Sequence, residues 1–457
     1  MPLYFLLAVF FFLILYRIRA KVHTENIRRP AHSAVETRGG VWYIDHKDKR
    51  GEVTATNTKE GFRRRLIFFI ALMLLYCAIF LLLTRTGLFS PTHNDRLFSA
   101  DDHYYSTEFF SAELDDSPRI IKHPLLIVFG CAFTRLEKAV FGYISLRRHY
   151  ELIIMMQMCA SVLATFFLDL ILEGLYKLKC SRALTVCGIF ALSFSVLFFT
   201  FIAESYILSA LLLTASFYFA RRHIWIVTGV LGVLTAGVTL TNGVLWALIV
   251  LLSGDRFWKR AAVIVSAAAV FCAIAAALPI RDIFYSTLLT GSKSSLGNYS
   301  DRFGFFEVVS RTFFAFFGST LFYLKTESAS PFGQYGGDAL SFVPAASVPV
   351  VIAGVLWLAA LVFAAVRFRR DSRIWAPLAV IAANILLHGA AQYGLKEAFL
   401  YSLHHLPAQI LAVSLLLSPE AGEKTGRAAA WCATGFFILV IALNIPGYIE
   451  LFRFIGQ

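Results

Sequence analysis

Uninterrupted apolar stretches, each about as long as a bilayer is thick, recur from one end of this chain to the other, and nothing constrains its fold more. A helix needs about 20 such residues to cross the hydrocarbon, and runs of that kind lie at 66–84, 150–172, 183–203, 261–280 and 346–366. Barrel strands alternate polar with apolar side chains, so unbroken runs mean α-helices. Hydrophobic residues make up 58% of the 457 and charged residues 16%, which excludes a soluble enzyme held by a single small anchor. The expected fold class is all-α: a polytopic membrane protein of about 12 transmembrane helices.

The net charge of +13 does not indicate nucleic acid, because the basic residues sit mainly in short loops between apolar runs, where they mark the cytoplasmic side. The seven cysteines show no metal-ligand spacing and read as small core residues. Residues 2–16 are apolar and are followed by Arg17, Arg19 and Lys21, an order that fits an uncleaved anchor better than a signal peptide. The segment 17–65 carries 13 Lys or Arg against 6 Asp or Glu and reads as cytoplasmic, whereas the loop 85–122 carries 4 against 7 and reads as external.

Parity then fixes the rest. Lys177, Lys179 and Arg182 place the end of run 150–172 inside, so 123–149 must not span. Its apolar part stops at Phe133 and charges interrupt the remainder, as expected of helices lying in the outer interface. The later runs, 204–220, 224–239, 241–253, 375–391, 398–417 and 427–446 among them, alternate so that Arg221, Arg222, Lys259, Arg260, Arg367, Arg369, Arg370, Lys424 and Arg427 all fall inside. Two more external segments remain, 281–345 with a candidate amphipathic helix near Phe313, and Gln392–His405. No internal repeat is visible, so two parts suffice: an anchor with a basic segment at 1–65 and a membrane domain at 66–457.

Chemistry-bearing residues gather in the external segments. Asp101 and Asp102, followed by Tyr104 and Tyr105, form a carboxylate pair of the kind a general base or a divalent cation needs, and like charge with partial burial would raise one of the two pKa values. A solvated acidic loop is the plainer alternative. Arg119, Lys122 and His123 precede Pro124 at the start of the interfacial segment, where cations suit a lipid phosphate or merely snorkel. Glu204, in Ala203-Glu204-Ser205-Tyr206, stands between two apolar runs and must face a cavity, a substrate or an ion-pair partner such as Lys122 or Arg119. Asn242 at the next outer turn suits substrate contact or helix capping. Glu397, Tyr401 and His404, spaced by four and three, would share one helical face, while His388 and Asn384 read as packing residues. Asn298-Tyr299-Ser300 matches a glycosylation sequon.

The order of these features, an apolar helix, Asp101-Asp102-His103-Tyr104-Tyr105, the Lys122-His123-Pro124-Leu125 entry and the Glu204-Ser205-Tyr206 turn, resembles the GT-C superfamily of membrane glycosyltransferases. It is similar to the bacterial members near protein O-mannosyltransferases and lipid A aminoarabinose transferases, over residues 66–250. The resemblance implies an enzyme of the bacterial inner membrane that takes sugar from a polyprenyl-phosphate donor at the outer face and inverts the anomeric centre. By it, Asp101 or Asp102 serves the acceptor as base and Lys122 and His123 meet the lipid phosphate. The acceptor is a glycan, lipid or protein, and a bound Mg²⁺ or Mn²⁺ fits as well as none. The family often has Asp-Glu and Lys-Pro-Pro where this chain has Asp-Asp and Lys-His-Pro. A transporter or flippase, and a non-catalytic subunit, are the rival classes.

Overall fold

The computed structural model describes residues 51–86, 88–89, 97–98, 100–114, 122–278, 302–329 and 339–455, without side chains for 51–59. The anchor at 2–16, Arg119 and the sequon lie outside the described residues. Two compact units divide at Leu74 and Leu75. The described part of the first belongs to helix α1 (Gly51–Leu83), which runs on into the second.

The second unit is helical. Its main elements are α2 (Leu126–Phe141), α3 (Leu146–Gly174), α4 (Cys180–Ala191), α5 (Phe194–Phe201), α6 (Tyr206–Arg221), α7 (Trp225–Val238), α8 (Leu240–Leu251) and α9 (Phe257–Ala277). After these come α10 (Phe305–Phe313), a hairpin of β1 (Thr326–Ala329) and β2 (Ala339–Phe342), α11 (Val348–Arg367), α12 (Ser372–Asn384), α13 (Ser402–Ser414) and α14 (Glu423–Ile455). Among the described residues seven helices are long and apolar enough to cross a membrane, and the α4–α5 pair, bent by 58°, would make eight if it is one span. Many outward side chains are large and apolar, such as Ile226, Val265, Val348 and Trp431. Together these features mark a membrane protein. Helices α6, α7 and α8 follow the expected runs closely but are shorter, at 16, 14 and 12 residues.

Specific residues set the breaks. Gly142, with φ of +70°, ends α2, and Ser145 starts α3 by accepting the Arg148 N–H on its hydroxyl at 3.4 Å. The expected interfacial segment 123–149 thus contains one helix, and the next begins at Leu146 rather than 150. At the α4–α5 bend the Phe194 N–H reaches past its own helix to the Leu321 carbonyl at 3.1 Å. Asn444 of α14 holds the same stretch, accepting from Tyr323 N–H and donating to Leu321, both at 2.9 Å. The α7–α8 break at Thr239 is extended, with φ of −151° and ψ of 116°. It pairs like a strand with the Lys122 turn: Leu125 N–H donates to Gly237 at 2.8 Å and Leu240 N–H to Lys122 at 3.0 Å. Gly237 is required there, since a Cβ would lie 2.6 Å from Leu125.

The turns meet at two ends. One gathers arginines: Arg182 donates to the Leu417 carbonyl at 2.9 Å, Arg373 to Leu175 at 3.2 Å and Arg221 to Ser253 at 3.3 Å. The other brings together the three segments expected to be external. Phe98 stacks on Phe342 of β2 at 4.2 Å and meets Phe399 at 5.4 Å, with Phe98 N–H donating to Leu340 at 2.7 Å.

Candidate active site

At this second end the chain after Ala100 makes one helical turn, Asp102–Tyr104, and a wider π-turn, Tyr105–Phe109. The turn is seated on α2. Thr134 donates to the Phe110 carbonyl at 2.8 Å, Arg135 to Ala112 at 3.1 Å, and Gly130 passes so close that a Cβ would lie 2.0 Å from the Phe109 oxygen.

The adjacent aspartates do not act as a pair. Asp102 turns inward, is buried and accepts the Tyr150 hydroxyl at 3.3 Å, while that hydroxyl oxygen accepts Ala203 N–H at 3.2 Å. Asp101 stays half-exposed, and its backbone N–H donates to Glu204 Oε1 at 2.6 Å. The carboxyl pair expected from Asp101 and Asp102 is therefore divided, and the acid that Asp101 meets, through its backbone N–H, is Glu204, 103 positions away in the chain.

Glu204 sits in the short turn between α5 and α6, buried. Burial first, and then the Asp101 charge, push its carboxyl well above the ordinary carboxylate range. Ser205 N–H also donates to it, at 3.3 Å, and Gln157 of α3 fixes the turn by donating to the Glu204 carbonyl at 2.6 Å.

Tyr105 joins these carboxyls to His123. Its hydroxyl donates to Ser205 Oγ at 3.0 Å and lies 3.1 Å from His123 Nε2. Burial, then Glu204, raises the phenol well above its usual range, so it remains a neutral donor. His123 Nδ1 faces the Val238 carbonyl at 2.7 Å and must carry a proton, because a carbonyl only accepts. Both ring nitrogens of His123 are thus engaged, one by Tyr105 and one by Val238, at the position where the sequence expects a phosphate ligand. Lys122, half-buried, is fixed beside it by the backbone pairing to Leu240.

The opposite wall is aromatic. Tyr206 meets Tyr401 at 6.0 Å and His404 at 5.5 Å, and Tyr401 stacks on His388 at 4.2 Å. His388, read from sequence as packing, belongs to this wall, and its Nδ1 is held by the Tyr393 carbonyl at 2.7 Å. Nε2 of the buried His404 has no protein partner. The single helical face expected for Glu397, Tyr401 and His404 does not form. Leu395–Tyr401 winds as a 3₁₀ segment with Glu397 off helical geometry, at φ of −111°, so the four-residue spacing no longer aligns it with Tyr401. Tyr104 is half-exposed beside His103, their rings 5.9 Å apart. Asn242 is not a cap: it lies inside α8, buried, with both amide atoms lacking a protein partner.

Among the described residues no three His, Cys, Asp or Glu side chains converge. A Mg²⁺ or Mn²⁺ here would draw most of its oxygen ligands from a substrate phosphate and water. Searches against protein-family models, curated proteins and solved structures return no match for this chain.

Proposed function

We propose that this chain is a glycosyltransferase that moves a sugar from a polyprenyl-phosphate donor to an acceptor hydroxyl on a glycan, lipid or protein, at the outer face of a bacterial inner membrane. The observation that carries this reading is the Tyr105 hydroxyl, 3.1 Å from His123 Nε2, on the same turn as Asp101, whose backbone N–H donates to Glu204. The ammonium of Lys122 and a proton acceptor, Asp101, thereby belong to one end of an apolar helical unit.

In the step, the acceptor oxygen attacks the anomeric carbon and the bond from that carbon to the phosphate oxygen breaks. The lipid phosphate leaves with the bonding electrons, and the acceptor proton passes to the Asp101 carboxylate. His123 and Lys122, with Arg119 as an expected third cation, stabilise the departing phosphate. Attack opposite the leaving group inverts the centre. Asp102, held by Tyr150, anchors the turn that carries Asp101. Tyr206, Tyr401, His404 and His388 offer ring faces and an open imidazole nitrogen to a sugar. GT-C architecture with about 12 spans follows if α6, α7, α8, the bent pair and segment 2–16 all cross.

The test is transfer from a radiolabelled polyprenyl-phosphate sugar in membranes. Asp101→Asn should lower it at least about 100-fold, the usual weight of a positioned base, while the melting temperature stays near that of the parent. Undiminished transfer by Asp101→Asn, or labelling of a cysteine at position 103 from the cytoplasmic side only, defeats the proposal.

A further inference from the structure

Between α4, α11, α13 and α14 lies a cavity of about 400 Å³, inside the ~300–1,000 Å³ range of ligand pockets. Ile189, Leu356, Trp357, Ile410, Leu416 and Phe436 line much of it. Two polar groups in the wall are already engaged: Ser414 donates to the Ile410 carbonyl at 2.6 Å, and the Trp357 indole N–H to Gln409 at 2.8 Å. Water would find few partners in it. Small wall residues make the room, and a Cβ built on Gly435 meets nothing within 4 Å. With Cys432 and Gly435 of its lining exposed, the cavity opens on the outer side of α14, so in a membrane protein the apolar chain that fills it is a lipid's.

One end of the cavity says which lipid. Leu417 and Ala429 line it beside the turn from α13 to α14, and Arg182, in the first turn of α4, reaches that turn to donate to the Leu417 carbonyl. Arg182 forms no ion pair with a carboxylate among the described residues. Lys424, exposed in the first turn of α14, likewise has no carboxylate partner among them. Basic pockets between membrane helices favour anionic headgroups. The cavity lies at the arginine-rich end, away from His123, so a donor phosphate seated at His123 does not account for it.

We propose that this cavity is a binding site for an anionic phospholipid, with one acyl chain between α4, α11, α13 and α14 and its phosphate at Arg182 and Lys424. Full-length protein in nanodiscs of equal phosphatidylglycerol and phosphatidylcholine, extracted gently and weighed by native mass spectrometry, should retain one phosphatidylglycerol. Arg182→Gln with Lys424→Gln should lower the preference for phosphatidylglycerol about 30-fold, as expected for two headgroup cations. Gly435→Leu, checked for an unchanged melting curve, should abolish retention of either lipid. Cys432, which lines the cavity, supplies a readout without substitution: its alkylation should slow when phosphatidylglycerol replaces phosphatidylcholine. Equal retention of both lipids by the parent, full retention by a folded Gly435→Leu, displacement of phosphatidylglycerol by polyprenyl phosphate, or equal alkylation rates would each overturn the proposal.

Discussion

The two ends of the helical unit are both polar, yet they are built in opposite ways. At the arginine end four guanidiniums reach the carbonyls that finish helices: Leu175 after α3, Ser253 after α8, Leu251 within its last turn, and Leu417 after α13. Those oxygens have no partner inside their own helices and carry the negative end of the helix dipole, so each cation caps and neutralises at once. The basic loops that orient a membrane chain here also close its helices. At the carboxylate end no arginine plays that part in the described contacts of Asp101, Tyr105, Glu204 and His123. Hydroxyls, one buried acid and one imidazole hold each other in a row, and atoms such as His404 Nε2 and Gln157 Oε1 are left without protein partners. The first arrangement serves mainly to finish helices. The second keeps unused bonding capacity, as a site that accepts a substrate must.

If the contrast is right, substitutions at the two ends should separate stability from transfer. The largest loss should come from Gly130→Ala, whose Cβ cannot be accommodated without moving the Phe109–Phe110 backbone off α2. We expect about 3 kcal/mol of destabilisation, with transfer falling as well because Asp101 and Tyr105 ride on the same turn. A thermal melt and the sugar-transfer assay read both, and an unshifted melt would mean that the turn is not seated as described.

Arg373→Ala should come next. Arg373 holds Asp371 at 2.6 Å and Glu420 at 3.2 Å besides the Leu175 carbonyl, and its removal strands a partly buried acid. About 2 kcal/mol should be lost, seen as a lower melting temperature, while transfer per folded molecule stays at the parent level. A variant that melts normally but transfers poorly would reverse the roles assigned to the two ends.

Much of this plan is legible in the sequence, and the reasons for the remainder are local. Hydropathy marks the helices well: the run 346–366 appears as Val348–Arg367, and 150–172 lies within α3. Charge groups Arg182 and Arg221 at one end, apart from the acidic loop. What sequence periodicity misses is every place where the backbone leaves 3.6 residues per turn. The π-turns at Tyr105–Phe109, Phe314–Ser319 and Ile385–Ala390 and the 3₁₀ segment Leu395–Tyr401 each rotate the side chains that follow. That rotation brings His388 onto Tyr401 and breaks the face drawn through Glu397. The hairpin of β1 and β2 left only a faint trace, two four-residue strands around a Gly-rich stretch. The partnership of Asp101 with Glu204 left none, because it joins a backbone amide to a carboxylate across 103 residues, and hydropathy does not register such a bond.

The smallest expected effect tests that partnership most directly. Glu204 has a folded-state pKa raised above its ordinary 4.5, by burial and then by Asp101. The folded protein therefore holds this proton more tightly than the unfolded chain does. Its contribution to stability is complete below about pH 4.5 and is lost as pH rises through the raised value. Glu204→Gln keeps an oxygen for the Asp101 and Ser205 N–H groups and removes the charge. The parent should thus melt at progressively lower temperature as pH rises from 4.5, and Glu204→Gln should flatten that slope, gaining on the parent at the alkaline end. The same slope in both proteins would mean that Glu204 ionises freely in water, and the buried carboxyl at the centre of the proposed site would have to be abandoned.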